Sequence, residues 1–275
     1  MTLIGIMQGR MVPPVDDRMQ AFPRDDWDME FPLAADAGFD TIEWIYDGYG
    51  EDVNPLATAQ GIARMKNLSR QHGVAVRSVC ADYFMERPLV RVSEDEREEG
   101  LARLEWLLSQ GHQLGIERVV LPFVDNAAIR TESEKRSVVD SLRRALPTAE
   151  AFGIELHLET DLAAADFRDL LGRVSHPLVK VNYDTGNSAS LGYHPHEEFR
   201  AYGDRIGSVH VKDRVLGGGT VPLGTGDADF AAVFAGLREQ RYAGDIVLQV
   251  ARGTAGDEMA WAKRNIGFVE ARWPR

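Results

Sequence analysis

Cysteine, positive charge and long apolar runs are scarce in this sequence of 275 residues. Cys80 is the single cysteine, which excludes the internal disulfide framework typical of small secreted proteins. No apolar run approaches the roughly 20 residues that a membrane-spanning helix needs. The N-terminal segment MTLIGIMQGR also lacks a basic stretch followed by the apolar core of a signal peptide. These absences predict a soluble, cytoplasmic protein without a membrane partner.

Basic residues are too few to favour nucleic acid as a partner. The chain has 31 Lys and Arg against 43 Asp and Glu, which gives a formal net charge of -12. That charge repels a phosphate backbone, and no basic stripe is concentrated enough to offset the repulsion. We therefore expect no nucleic-acid partner.

Apolar residues, by contrast, are abundant and periodically placed. They make up 44% of the chain, whose length is close to the roughly 250 residues of an eight-fold α/β barrel. Short β-rich segments alternate with longer amphipathic ones, which is typical of repeated βα units and a parallel sheet. The eight predicted strands are 3–8, 41–45, 74–80, 118–123, 154–159, 178–184, 206–212 and 245–250.

Helical periodicity is clearest over 94–114, 132–152 and 230–240. The first helix, 27–37, is the hardest to delimit because Pro32 lies inside it. Several helices end in a glycine just before the next strand, as a helix C-cap should. These glycines are Gly38, Gly73, Gly115 and Gly153.

The alternating pattern fits either a closed barrel or an open doubly wound sheet. Eight βα units favour closure. No low-complexity linker or shift in composition divides the chain into two parts. We therefore predict an α/β fold with a single (β/α)8 TIM-barrel domain over residues 1–275.

Polar and aliphatic residues alternate along the last four predicted strands. A period of two places the polar side chains on one face and the aliphatic ones on the other. Because helices would cover the aliphatic face, the polar face must look into the barrel, where unpaired charges are costly. The residues of the polar face are Glu155, His157, Glu159, Lys180, Asn182, Asp184, Ser208, His210, Asp245 and Gln249.

Four of these polar residues lie near the C-terminal ends of consecutive strands, where barrel enzymes place their chemistry. They are Glu159, Asp184, His210 and Gln249. Oxygen-rich ligation with one imidazole suits Mn²⁺ or Mg²⁺, with Co²⁺ or Zn²⁺ as alternatives. Taken singly, Glu159 could cap the following helix, Asp184 could form a turn, and His210 could be a core histidine. Together they predict a divalent-metal site.

The order of these motifs resembles the xylose isomerase-like barrel superfamily over nearly the whole chain. Glu159 precedes DTGN, which contains Asp184, then HVKD, which contains His210, and then GTGDADF. The opening IGIMQGR and the segment DTIEWIYD are similar to the isomerase and epimerase branch, which is related to the AP endonucleases. The resemblance implies metal ligation by Glu159, Asp184 and His210, with Gln249 where many epimerases have a second glutamate.

Two positions depart from the family pattern. Gln249 can ligate a metal through its amide oxygen but cannot act as a base. The usual epimerisation by two glutamates therefore requires another group, with Lys212, Asp82 and Glu43 as candidates, whereas isomerisation by Glu159 alone needs none. Asn187 stands where related enzymes often have a histidine, and we expect it to bind a substrate hydroxyl.

Further polar residues follow the predicted strands. Glu43 is either a pocket acid that contacts substrate or a buried partner of a nearby Arg or Lys. Lys212 is predicted to be catalytic, and Arg214 and Arg252 are predicted to bind an anionic or polyhydroxyl substrate, as Arg10 could. Solvated surface charge is the alternative for each of the basic residues.

The resulting hypothesis is a metal-dependent isomerase or epimerase of a sugar, a sugar phosphate or a cyclitol. Glu159 would take a proton next to a metal-chelated carbonyl and produce an enediolate. The alternatives are a keto-cyclitol dehydratase, an AP endonuclease-like nuclease and a non-catalytic sugar-binding barrel. The expected partner is a small carbohydrate, and association into a homo-oligomer is a further expectation from the resemblance.

Overall fold

The structure of the protein, a computed structural model, describes residues 2–273. Eight parallel strands close into a barrel in the order β1-β10-β7-β6-β5-β4-β3-β2. This closure confirms the predicted TIM barrel and rules out the open doubly wound sheet. The barrel strands are β1 (Ile4–Met7), β2 (Thr41–Ile45), β3 (Ala75–Cys80), β4 (Arg118–Phe123), β5 (Glu155–Thr160), β6 (Val179–Asp184), β7 (Ile206–Val211) and β10 (Asp245–Leu248).

A short antiparallel hairpin lies outside the barrel, in the loop after β7, and was not predicted. It pairs β8 (Asp213–Arg214) with β9 (Thr220–Val221). The buried Asp213 organises the rest of this loop, because its carboxylate accepts hydrogen bonds from the backbone N–H groups of Gly224, Gly226 and Ala228. The glycine-rich segment is therefore an ordered part of the barrel mouth.

The helices cover the outside of the barrel and confirm the predicted alternation. The four glycines proposed as C-caps all adopt left-handed φ values, between 66° and 97°. The first helix begins at Glu30 rather than at residue 27, so Pro32 falls in the first turn. Backbone N–H groups in the first turn make no intrahelical hydrogen bond, so a proline, which lacks this group, is tolerated there. The helices are α1 (Glu30–Ala37), α2 (Ala59–His72), α3 (Tyr83–Glu86), α4 (Glu94–Leu114), α5 (Glu132–Phe152), α6 (Ala164–Val174), α7 (Thr185–Leu191), α8 (Pro195–Tyr202), α9 (Phe230–Glu239) and α10 (Glu258–Glu270). Within residues 2–273, none of them is both long and apolar enough to cross a membrane.

Polar side chains fill the barrel interior, as the alternation predicts. His157 of β5 reaches Ser208 of β7 across the barrel, with 2.7 Å between Nδ1 and Oγ, and Ser208 donates to Asn182 Oδ1 of β6 at 2.6 Å. Because β5 and β7 are not neighbours in the sheet, this contact places all three side chains inside. This network lies inside the barrel, on the N-terminal side of the residues at the C-terminal ends of the strands.

A buried ion pair closes the opposite, N-terminal end of the barrel. Arg118 Nη2 lies 2.6 Å from Asp245 Oδ2, and both side chains are about 5% exposed. Removing one member of a buried pair leaves an uncompensated charge, which typically costs about 3–5 kcal/mol. Arg77 Nη1 lies 3.4 Å from Asp245 Oδ1 and would partly compensate the charge that remains. We therefore expect Arg118→Met to lower the free energy of unfolding in urea by about 3 kcal/mol, the lower end of that range.

The matched control for that substitution is Arg144→Met. Arg144 pairs with Glu98 on the surface, with both side chains well exposed, and exposed pairs contribute about 0–1 kcal/mol. Equal losses in the two variants would contradict the assignment of stability to the buried pair.

Candidate metal centre

Three side chains from adjacent strands meet at the C-terminal mouth of the barrel. Glu159 of β5, Asp184 of β6 and His210 of β7 each place a ligand atom within 4.8 Å of the other two. All three residues are buried. The parallel register of β5, β6 and β7 contributes to this meeting, because Asp184 and His210 are direct register partners and Glu159 follows Leu158, the partner of Val181. The structure therefore brings together three of the four residues predicted as metal ligands.

The two carboxylate oxygens of Asp184 make different contacts. Oδ1 accepts hydrogen bonds from the backbone N–H groups of Gly186 (2.9 Å) and Asn187 (2.8 Å), so it caps the N-terminus of α7. Oδ2 lies 2.8 Å from Lys212 Nζ, although that ion pair lacks hydrogen-bond geometry. Both sequence interpretations of Asp184, as a turn residue and as a ligand, are compatible with this arrangement.

Two asparagine amides hold the carboxylate of Glu159. Asn182 Nδ2 donates to Oε2 at 2.8 Å, and Asn187 Nδ2 donates to Oε1 at 2.7 Å. Arg214 donates to the oxygen of Asn187 at 2.9 Å, and because an arginine can only donate, the amide of Asn187 must face Glu159. Glu159 is therefore held in a fixed position, with both oxygens acting as acceptors.

His210 lies between two carboxylates. Its Nε2 is 2.5 Å from Glu43 Oε1, and its Nδ1 is 3.1 Å from Glu159 Oε2 without hydrogen-bond geometry. Burial by itself lowers the pKa of His210, but the charges of Glu43 and Glu159 raise that pKa to about 10. A cation that binds at Nδ1 must therefore displace a proton, since only the neutral imidazole nitrogen is a ligand.

Gln249 follows β10 and reaches the same mouth. Its Nε2 donates to Gln20 Oε1 at 3.0 Å. Its Oε1 is buried and has no hydrogen-bond partner among residues 2–273. A buried amide oxygen without a partner is costly, and a cation would compensate it. Ligation by Gln249 stays a prediction that this orphaned oxygen supports.

The donor set fits a divalent cation. Asp184 Oδ2, His210 Nδ1 and Gln249 Oε1 are all buried without a hydrogen bond in the described part of the chain. Lys212 supplies a positive charge beside Asp184, and its stem packs where a Cβ at Gly186 would lie, 2.8 Å from Lys212 Cγ. Glycine at this position therefore makes room for a cationic side chain next to Asp184. Lys212 lines the cavity, and its catalytic role stays a prediction.

A cavity of about 600 Å³ opens at the mouth of the barrel, and Glu159 lines it. That volume suits a ligand of sugar size, because small-molecule pockets range over roughly 300–1,000 Å³. The predicted site residues that line the cavity are Glu159, Asn187, Lys212, Arg214 and Gln249, together with Arg10.

Two residues predicted to bind substrate lie elsewhere. Glu43 is fully buried against His210, so its partner is a histidine rather than the Arg or Lys that the sequence suggested, and it does not line the cavity. Arg252 donates to the backbone oxygens of Met19 and Val12 and therefore fixes the loop after β1. Neither side chain lines the cavity, so the structure does not bring these two residues to it as the sequence predicted.

Sequence reasoning missed Gln20, which lies in the irregular loop between β1 and α1. Gln20 lines the cavity and bonds to Arg10, Asp82 and Gln249. No hydrophobic period runs through this loop, so nothing in the sequence shows that residue 20 returns to the barrel mouth.

Glu43 contacts Nε2 of His210, which is where a carboxylate would orient the ring if Nδ1 held a metal. Loss of such a partner typically lowers metal affinity about 10–100-fold. We expect Glu43→Gln to weaken Mn²⁺ binding by about that factor, as measured by isothermal titration calorimetry. Glu30→Gln is the matched control, because burial raises the pKa of Glu30 to about 8 and a neutral amide resembles its protonated form. An unchanged affinity in the Glu43 variant would contradict the orienting role.

Residues 31–272 match the family described as xylose isomerase-like TIM barrel. An inosose dehydratase from Geobacillus kaustophilus is 34% identical over 148 residues, which cover 46% of this chain and 48% of the relative, about half of each. An L-ribulose-5-phosphate 3-epimerase from Shigella flexneri is 26% identical over 260 residues, covering 90% of this chain and 89% of the relative. The solved IOLI protein, which holds a zinc atom, has a TM-score of 0.79 at 18% identity and covers 100% of both chains, a likeness of fold alone.

Proposed function

Because this chain belongs to the xylose isomerase-like TIM barrel family, we propose that it is a metal-dependent isomerase or epimerase of a sugar, a sugar phosphate or a cyclitol. The observation that carries the proposal is Glu159, a carboxylate held by two amides beside Asp184 and His210 at the edge of the cavity. The similarity to an L-ribulose-5-phosphate 3-epimerase over 90% of the chain supports the same reaction class.

Each residue of the site has a role in this reaction. A divalent cation, when bound, would polarise a substrate carbonyl and acidify the neighbouring C–H bond. Glu159 takes the proton from that carbon, and Asn182 and Asn187 keep its oxygens aligned for the transfer. Arg214 fixes Asn187 and lies at the cavity wall, where it can donate to substrate oxygens. We propose Glu159, Asp184, His210 and Gln249 as the ligands.

The metal that we propose is Mn²⁺ or Mg²⁺, because the ligand set is rich in oxygen. Co²⁺ and Zn²⁺ could also bind this set, and the zinc atom of the similar IOLI protein supports the second of these. The small-carbohydrate partner follows from the proposed reaction. The cytoplasmic location and self-association stay predictions.

A keto-cyclitol dehydratase is the second candidate function. The observation in its favour is the 34% identity to an inosose dehydratase over 148 residues. The same proton abstraction by Glu159 would begin that reaction, followed by loss of a neighbouring hydroxyl as water. A nuclease, by contrast, fits the net charge of -12 poorly, because that charge repels a phosphate backbone.

Deuterium uptake from D₂O tests the proposal. A panel of ketoses, ketose phosphates and inososes would be incubated with the Mn²⁺-loaded protein and followed by NMR. We expect metal-dependent exchange of a C–H next to the carbonyl in at least one of these substrate classes, with an isomerised product whose mass differs from that of the substrate only by the deuterium taken up. A product lighter by one water would support the dehydratase instead, and no exchange in any class would contradict both enzymes.

A further inference from the structure

Epimerisation needs a second proton-transfer group, and Gln249 cannot supply it. Two of the candidates that the sequence offers are occupied elsewhere. The ammonium group of Lys212 is ion-paired with Asp184 at 2.8 Å, and Glu43 is buried against His210 outside the cavity. A carboxylate from another part of the mouth is required.

Asp82 reaches the cavity from a different wall. It follows β3, whereas Glu159 is on β5, and both line the same cavity. Asp82 occupies the N-cap position of α3 but makes no capping hydrogen bond with its side chain. Its carboxylate is therefore not committed to holding the local backbone.

A hydrogen-bonded chain links Asp82 to the position of the missing glutamate. Gln20 Nε2 donates to Asp82 Oδ2 at 2.7 Å, and Gln20 Oε1 accepts from Arg10 Nη2 and Gln249 Nε2, each at 3.0 Å. Because Arg10 can only donate, the amide group of Gln20 must point at Asp82. Gln249 and Gln20 thus hold Asp82 in a fixed position. Asp82 is then the carboxylate of this part of the cavity, where residue 249 does not supply one.

We propose that Asp82 is the second catalytic acid–base, which delivers a proton to the face of the reacting carbon opposite to Glu159. This inference rests on the proposed function and goes further, because it assigns epimerisation rather than isomerisation by Glu159 alone. It also gives Gln20 a positioning role.

The proton balance of the step is simple. Glu159 takes the proton from the substrate carbon, the C–H bond breaks, and its electron pair enters the enediolate. Asp82 in its carboxylic-acid form gives a proton to the other face of that carbon, a new C–H bond forms, and the carbonyl returns. Glu159 then holds the proton and Asp82 is ionised, and exchange with water restores both groups. The reverse reaction exchanges the two roles.

The surroundings of Asp82 favour this role. Burial raises the pKa of Asp82 to about 6, although the hydrogen bonds from Gln20 and Cys80 lower it. A catalytic acid–base works best when its pKa is near the operating pH.

Asp82→Asn tests the proposal by separating proton removal from inversion. Asparagine keeps an oxygen for Gln20, so the fold and the cavity should persist. In D₂O with the substrate that the wild-type enzyme turns over, we expect deuterium exchange into the substrate to stay within about tenfold of wild type. We expect the epimerised product to fall about 100-fold or more, since general acid–base catalysis contributes about 10²–10⁴.

Asp125→Asn is the matched control, because Asp125 is another carboxylate of the cavity wall and no hydrogen bond of its side chain is found within residues 2–273. We expect that variant to keep the wild-type ratio of exchange to epimerisation. An unchanged ratio in Asp82→Asn would overturn the role of Asp82 while leaving the proposed function standing. Absence of exchange in the wild-type enzyme on the whole panel would overturn both.

Discussion

Replacing Glu159 with glutamine should slow deuterium exchange into the substrate by about 1,000-fold, because the variant loses its proton-accepting group and general-base catalysis contributes about 10²–10⁴. The carboxylate is also one of the proposed metal ligands, so the loss should be at least this large. The measurement is the initial rate of exchange by NMR at saturating Mn²⁺.

The protein should still fold with this substitution, with a modest loss in the free energy of unfolding. Glutamine places an NH₂ group against the amide of Asn182 or Asn187, both of which donate to Glu159 in the structure. One unsatisfied buried donor costs about 1–3 kcal/mol, and urea unfolding would measure that cost. A barrel with a core of this size should remain folded.

Glu155→Gln is the matched control for Glu159→Gln. Glu155 lies on the same strand and the same face, four residues nearer the N-terminal end, where it contacts His157 and Lys180. We expect the rate of deuterium exchange into the substrate by Glu155→Gln to stay close to the wild-type rate. A rate near wild type in the Glu159 variant would show that another group removes the proton.

Asp184→Asn should weaken divalent-metal binding by at least about 100-fold, more than the roughly 10–100-fold typical of losing a group that only orients a ligand. Asparagine can keep Oδ1 as the acceptor for the N–H groups of Gly186 and Asn187, and it replaces Oδ2 with an NH₂ group that cannot ligate. Exchange activity at low Mn²⁺ should fall with the affinity, and adding Mn²⁺ should restore part of it. Treatment of the wild-type protein with a chelator should remove activity, and Mn²⁺ should return it.

Comparison with Asp184→Ala separates the two tasks of this residue. Alanine also loses the cap of α7, which costs about 0.5–2 kcal/mol, whereas asparagine is as good a cap as aspartate. We therefore expect the alanine variant to be less stable than the asparagine variant in the metal-free state, with both defective in metal binding. Wild-type Mn²⁺ affinity in Asp184→Asn would remove Asp184 from the ligand set.

The predicted strands agree closely with the structure because each local signal has a direct physical cause. A period of two over 154–159 predicts a strand with one face in the barrel. The observed β5 is shifted by only one residue from that prediction. The glycines before the strands predict helices that end in a left-handed residue, and all four glycines adopt left-handed φ values. The start of α1 was the poorest prediction, since Pro32 is tolerated in a first turn and gives no sharper boundary.

The site was predictable only where it depends on regular strands. Glu159, Asp184 and His210 occupy equivalent strand ends, so the parallel register brings them together once the barrel closes. The pairing of Glu43 with His210 joins residues 167 positions apart on β2 and β7, which do not pair in the sheet. Nothing local in the sequence selects that partner.

By itself, the sequence determined the repeated βα units and the polar face of the last strands, because periodicity records which side of an element is buried. Only the tertiary structure decided that Arg252 holds the backbone of the loop after β1, that Lys212 is paired with Asp184, and that Gln20 connects Asp82 to Gln249. These contacts depend on closure of the barrel and on the paths of irregular loops, and neither leaves a periodic signal in the chain.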